Sequence, residues 1–360
     1  MDPTPPTLPD PMVLVNASGA SSLLHEREVV RAAGRQAISA FLDAHTCFSV
    51  LRASGKVVVF DTRIPVQFAF YALVEHDMQA APLWDPNLCL FVGLLTVTDF
   101  IDILRYYRRS KLDVSALASR SIADILGDEN IINIVLTKRK VEQGAFLAAD
   151  ASATLKHACR LLHNNSLDFL PIVLPNDMRA LACITYTNIL EHLVTNFREQ
   201  RRLFDDTVFD LGIGTYHDKV VTATPNQSLE DALEILHKHS LGALPVVDPV
   251  TRRILGVYSR SDITFLATAS DAEDAIGNLD LKLEVVMGQR RTDVTTPDAL
   301  HTCTKGHTLQ SIFEYFAQIR FNRLYVVDEE ERVVGVVSAR DLVAYFLTED
   351  STKEKQGSGK

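Results

Sequence analysis

The chain has 360 residues, 47% of them hydrophobic, and a formal net charge of −10. That length leaves room for two or three ordinary domains with an ample core, and the acidic balance excludes a broad nucleic-acid surface, which needs a basic face. The longest apolar runs, such as Val57 to Phe60 and Leu88 to Leu95, are far too short to span a bilayer.

Residues 1–24 are rich in proline and small polar residues and are expected to be a disordered tail. A helix follows from about Glu26 to His45, with Val29, Val30, Ala33, Ala37, Ile38 and Phe41 on one face. Four similar units come next, at 48–110, 145–198, 213–270 and 294–348, and 349–360 is a polar tail expected to be mobile. The first unit closes on a long helix, DFIDILRYYRRS, whose Arg105, Arg108 and Arg109 suit a helix carboxyl end through the dipole alone, with a partner contact as the sharper but less favoured alternative. Between the first two units lie a helical pattern near Ala116 to Leu126 and the cluster Lys138-Arg139-Lys140, better read as a solvated loop than as a nuclear-import signal. A polar linker, Arg198 to Thr207, separates the second and third.

The third unit shows the pattern best. SLEDALEILHKH places Leu229, Ala232, Leu233 and Leu236 at helical spacing. GALPVVDPVTRRILGVYSRSD then reads as a strand, a turn at Asp248-Pro249, a second strand and a helix start at Ser259. Pro245 aligns with Pro82, Pro171 and Tyr325, and the apolar helix positions before it recur in all four units. Downstream, Asp262 aligns with Asp99, Asn188 and Asp341, and Gly256 with Gly93, Ala182 and Gly335. The repeating element is therefore helix, hairpin, helix, and one copy cannot bury both its sheet face and its helix stripes, so copies must pair.

This unit, with its terminal S/T-x-x-D, resembles the CBS domain, two of which form a Bateman module. VVVFDTRIPVQFAFYALVEHDMQAAPLWDPNLCLFVGLLTVTDFIDILRYY, together with LGIGTY (211–216), ALPVVD (243–248) and SARDL (338–342), is similar to the γ subunits of AMP-activated protein kinase. The resemblance covers about 45–348 and is weakest in the second repeat. It implies an α/β fold of four CBS repeats, paired into two Bateman modules that form a flattened disk. It also implies a non-catalytic subunit that binds AMP, ADP or ATP and works with a catalytic α chain and a β scaffold. The β partner would add a strand beside the Val57–Phe60 edge.

In that family an aspartate at the S/T-x-x-D position accepts both ribose hydroxyls, a task suited to an ionised carboxylate. The matching residues are Asp99 with Thr96 and Thr98, Asp262 with Ser259, and Asp341 with Ser338; Asn188 leaves the second pocket without its carboxylate. The same motif is a capping box that would serve any helix start. Phosphate recognition needs cations or helix amino ends, and here the chain departs from the family. Gln79, Asp168-Phe169, Thr187-Asn188 and Asn322 stand where basic residues are usual. Arg323 and, through GQRR, Arg290 remain. The expected pocket lies around repeats three and four: Thr215, Val220, Leu241, Gly242, Arg290, Arg323, Ser338 and Asp341. Lys156, Arg160, Lys219, Lys305 and Arg320 are spare cations that the sequence does not place.

Nothing competes strongly with this reading. Cys47, Cys89, Cys159, Cys183 and Cys303 show no C-x-x-C and read as small buried apolar residues in a reducing compartment. The histidines, His237 and His239 among them, lack zinc-ligand spacing. Gly212-x-Gly214 lacks the third glycine of a dinucleotide fingerprint, and no Walker A loop, nucleophile elbow or kinase motif occurs. No membrane or nucleic-acid partner and no cofactor are expected; without a charged leader and apolar h-region the protein is expected in the cytoplasm, with the nucleus as a second location. A kinase regulator with fewer or weaker nucleotide sites is the leading expectation, and a γ-like scaffold without nucleotide sensing is the alternative.

Overall fold

A computed structural model describes residues 11–51, 57–76, 78–131, 146–174, 176, 179–197, 205–262, 272–289 and 298–347. The basic cluster at Lys138–Lys140, Arg290 and the tail from 349 fall outside these residues.

Helix α1 runs from Pro11 to Ala44, so residues 11–24, expected as part of a disordered tail, are helical. Proline is tolerated in a first helical turn, where its missing N–H would be unpaired anyway. The last proline of the tail thus starts the helix.

Repeats one, two and four each add one short strand to the expected unit, and repeat three adds a single bridging residue, Ala223. Repeat one is β1 (Phe60–Asp61), α2 (Val66–Glu75), β2 (Ala80–Asp85), β3 (Leu90–Thr96) and α3 (Val97–Arg109), followed by α4 (Val114–Ser119) and α5 (Ile122–Leu126). Repeat two is β4 (Ala149–Asp150), α6 (Leu155–Asn164), β5 (Leu170–Leu174), β6 (Arg179–Ile184) and α7 (Tyr186–Asn196). After β7 (Thr215–Tyr216), repeat three has α8 (Leu229–Lys238), β8 (Ala243–Val247) and β9 (Ile254–Ser259), and then come α9 (Ala272–Gly277) and α10 (Leu283–Gln289). Repeat four is β10 (Thr302–Cys303), α11 (Leu309–Gln318), β11 (Arg323–Val327), β12 (Val333–Ser338) and α12 (Ala339–Leu347).

The leading strand pairs in parallel with the first hairpin strand: Phe60 with Leu83, Ala149 with Ile172, Thr302 with Tyr325 and, as a single bridge, Ala223 with Val246. The aligned positions are equivalent in space. Pro82, Pro171, Pro245 and Tyr325 face Leu94, Cys183, Val257 and Val336 across their hairpins. Every hairpin breaks register at the same place, after Leu83, Ile172, Val246 or Val326, where the partner is the small residue Gly93, Ala182, Gly256 or Gly335. A bulge at one fixed position bends and twists each hairpin alike.

Two symmetric devices join the repeats into modules. The segment before repeat one docks on repeat two, where Leu155 N–H donates to the His45 carbonyl and Thr46 bridges Thr154; likewise Leu309 N–H donates to Asp206 and Thr207 bridges Thr308. The segments after repeats one and three fold back, so that Val66 N–H donates to Arg120 and Leu229 N–H to Leu281. Each contact satisfies a first-turn N–H that the helix itself leaves unpaired. Thr215–Tyr216, at the start of repeat three, pairs with β12 and completes the sheet of repeat four.

Burial then crosses between modules. One core joins repeats one and three through Leu73, Ile101, Leu104, Leu233 and Leu236; the other joins repeats two and four, with Ile38 and Leu42 of α1, through Leu162, Leu190, Phe316 and Leu342. Strand contacts between β2 and β6, and the Arg253–Arg332 bridge, connect the repeats within each module. The four repeats therefore close a ring. Cys47, Cys159 and Cys303 are buried as expected, but Cys89 is exposed. No helix among the described residues is long and apolar enough to cross a membrane.

Candidate functional site

The S/T-x-x-D motifs act first as helix caps. Thr96 N–H and Oγ1–H donate to Asp99 Oδ2 at 2.8 and 2.7 Å, and Asp99 N–H donates back to Thr96 Oγ1 at 3.2 Å. Ser338 and Asp341 form the same box at 2.9, 2.7 and 3.1 Å. Thr185 and Asn188 repeat it with a neutral amide. Asp99 is buried, Asp341 half-buried, and Thr98 half-buried on the first turn of α3. Repeat three departs: Ser259 Oγ turns to the Gly242 carbonyl and to Ser261 Oγ, and the buried Asp262 donates its N–H to the Ser259 carbonyl.

Around that departure the ring centre forms a polar cluster drawn from three repeats. Arg323 donates to Asp298 Oδ1 at 2.8 Å, with both side chains about four-fifths buried (20% and 18% exposed). Asn322 Nδ2 donates to the same oxygen at 2.9 Å, and Ser261 Oγ donates to Asp298 Oδ2. Thr187 of repeat two donates to Asn322 Oδ1. A Cβ on Gly242 would meet the Arg323 guanidinium at 2.7 Å, so the glycine admits that side chain. Gly242, Ser259 and Arg323 are thus brought together, and Arg323 faces Ser338 across the β11–β12 ladder. Thr215 sits opposite Val336 on the far side of β12. Val220 ends the turn His217–Lys219, and Leu241 N–H is held by the Leu236 carbonyl. Arg290 lies outside the described residues.

The spare cations are mostly engaged elsewhere. Lys156 pairs with Asp43 at 2.7 Å, Arg320 with Glu191 at 2.6 Å, and Lys305 lies over the Phe209 ring. Arg105, Arg108 and Arg109 do more than favour a helix dipole, which corrects the sequence reading. Arg105 pairs with Glu230 and Glu234 of repeat three, Arg109 with the same two, and Arg108 with Asp280. Asp102, 3% exposed, takes two hydrogen bonds from Arg260 at 2.7 and 2.8 Å, with Arg105 and His237 nearby. Burial pushes the Glu234 carboxyl up, but the hydrogen bonds from Arg109 and Arg105 outweigh it and hold the group below its ordinary value. This network seals the seam between repeats one and three. The expected edge at Val57–Phe60 is shorter than the sequence suggests, with only Phe60 in β1.

At the other seam, between repeats two and four, sequence reasoning missed Arg340. Its guanidinium reaches across from α12 to Ser166 Oγ at 3.4 Å. It forms no ion pair among the described residues. The signal was available: Arg340 is the one charged residue at the third position of the four S/T-x-x-D/N motifs, beside Thr98, Thr187 and Ser261. Two of those residues also reach outside their own repeat, Thr187 to Asn322 and Ser261 to Asp298.

Comparison with known proteins agrees with this architecture. Residues 213–267 and 292–348 match the CBS domain family. The 5'-AMP-activated protein kinase γ subunit of Dictyostelium discoideum is 31% identical over 334 residues, which are 92% of this chain and 56% of that protein. The chain is a homologue of these γ subunits, built on CBS domains. The human γ-3 subunit is likewise 31% identical over 320 residues, 87% of this chain and 61% of its own length. This γ homologue thus spans less than two thirds of the curated relatives it matches. A Methanocaldococcus jannaschii protein described as an archaeal homologue of the kinase γ subunit shares the fold, with a TM-score of 0.62 at 18% identity, over 82% of this chain and 98% of its own.

Proposed function

We propose that this γ-like regulatory CBS protein binds AMP, ADP or ATP at the ring centre, at fewer or weaker sites than a typical γ subunit. It would pass the occupancy of those sites to a catalytic α chain through a β scaffold. The supporting observation is the convergence of Gly242, Ser259, Thr187, Asn322 and Arg323 from three repeats, beside the capped carboxylate of Asp341. A carboxylate with one oxygen held by its cap keeps a second acceptor for a ribose hydroxyl.

One observation favours the scaffold reading. Arg323 already holds the Asp298 carboxylate, so an incoming phosphate gains less from it. Calorimetric titration of AMP and ATP into this chain, purified with its α and β partners, separates the two. Heat saturating at micromolar nucleotide supports the sensor; an intact complex giving no heat at millimolar nucleotide leaves a scaffold.

A further inference from the structure

We propose that Arg340, Tyr186 and Ser166 form an oxyanion site at the seam between repeats two and four, one that binds a phosphoryl group.

Three observations place the groups together. Arg340 stands in the first turn of α12, half-buried, with its guanidinium on Ser166 Oγ and no carboxylate partner among the described residues. A guanidinium withdrawn from water normally has an acid to pair with, because an uncompensated buried charge is costly. Tyr186 opens α7 and is only 5% exposed, yet its hydroxyl has no hydrogen-bond partner among the described residues. Buried hydroxyls are almost always paired, and an orphan marks a place for a ligand or ion. The two groups stand on packed neighbours: α7, which Tyr186 opens, packs against α12, and Tyr186 and Ala339, next to Arg340, share one buried core. Burial dominates and drives that phenol well above its ordinary value, so it stays protonated and can donate.

The chemistry of the trio selects the ligand. A planar fork of N–H groups, a phenolic O–H and a serine O–H offer donors to several oxygens of one tetrahedral anion. Two helix amino ends, those of α7 and α12, add the same preference. Asp168, exposed, and Asp341, capped on Ser338, are the carboxylates that act on the same phenol. They limit affinity and disfavour highly charged ligands, so a monophosphate suits the site better than a triphosphate. The site stands where the sequence lacks the basic residues usual in the family, and Arg340 supplies the charge from a different position. It deepens the nucleotide reading if the phosphoryl group belongs to AMP, but it does not need that reading if the group is free phosphate.

The test is titration of inorganic phosphate, AMP and adenosine into the full chain and into Arg340→Gln and Tyr186→Phe. Wild type should bind AMP more tightly than adenosine, and Arg340→Gln should lose about tenfold or more in affinity for both phosphate and AMP while leaving adenosine unchanged. Tyr186→Phe should lose phosphate affinity yet melt at or above the wild-type temperature, because it removes an orphaned hydroxyl. A purely structural tyrosine would not give that split. Phosphate binding that depends on Arg340, without any response to adenosine or extra affinity for AMP, keeps the site and overturns the nucleotide reading. AMP binding unaffected by either variant keeps the nucleotide reading and overturns the site. No binding of any probe overturns both.

Discussion

At the scale of single residues, Asp298 decides how much of Arg323 a ligand can use. Its Oδ1 takes hydrogen bonds from Arg323 and Asn322, and its Oδ2 one from Ser261. The carboxylate therefore already fills the role of an anion on the central guanidinium. A phosphate approaching Arg323 must displace it or accept its repulsion. Asp298→Asn keeps the shape, releases the guanidinium and removes the negative charge. The expected result is a gain of about tenfold in AMP affinity, near the 1.4 kcal/mol that one weakened charge-assisted contact represents. The check is competition of AMP against a fluorescent nucleotide on wild type and variant, with adenosine as the neutral control. Equal AMP affinity in the two proteins would mean that Arg323 and Asp298 are a structural pair outside the pocket.

At the scale of elements, α1 ends in a small aromatic cluster that carries a pH response. The Phe41 ring packs edge-on to Phe197, and the His45 and His192 rings lie 5.0 Å apart. His192 Nε2 is buried without a partner among the described residues, while Asn196 approaches Nδ1. Burial, and then the neighbouring His45, hold the His192 imidazole below its ordinary value of 6.5. The folded state thus prefers the neutral ring. Its contribution to stability is complete above pH 6.5 and is lost as pH falls through the lower folded-state value. Thermal melts at pH 7.5 and 5.5 should show a smaller drop for His192→Gln than for wild type. Identical drops would place the acid sensitivity elsewhere, and Asp206, held low by its hydrogen bond to Arg31, titrates further to the acid side.

The elements also show what a sequence can carry. Hairpins, helices and their caps were readable because alternation, helical spacing and S/T-x-x-D each have a local cause. The two-residue leading strands were not, since Phe60–Asp61 or Thr302–Cys303 has no periodicity to detect. Nor was the move of Thr215–Tyr216 into the sheet of repeat four, which depends on Gly335 leaving room for the Tyr216 ring. The Asp298–Arg323 pair and the Asp102–Arg260 pair were invisible for the same reason: each joins residues far apart in sequence. Arg340 differs, because its place in the motif was legible and only its reach to Ser166, with no ion-pair partner among the described residues, needed the structure.

At the scale of the whole molecule, the two cores run across the modules rather than within them. Leu73, Ile101 and Leu104 of repeat one pack with Leu233 and Leu236 of repeat three; Leu162 and Leu190 of repeat two pack with Phe316 and Leu342 of repeat four. A second module cut out as residues 205–347 would keep its hairpins, its Thr207–Thr308 bridge and the β7–β12 pairing. It would expose half of each core on its helical side. Contiguous apolar area of that size is not tolerated on a soluble monomer. The repeats of the two modules are related closely enough that a second copy can offer similar helices, so the fragment should close on itself as a two-fold dimer. Light scattering on the purified fragment should give twice the monomer mass, with dissociation and unfolding coinciding on dilution. A folded, cooperative monomer would show instead that the contacts inside one module suffice, and that the crossing cores align the four repeats without being needed to hold them.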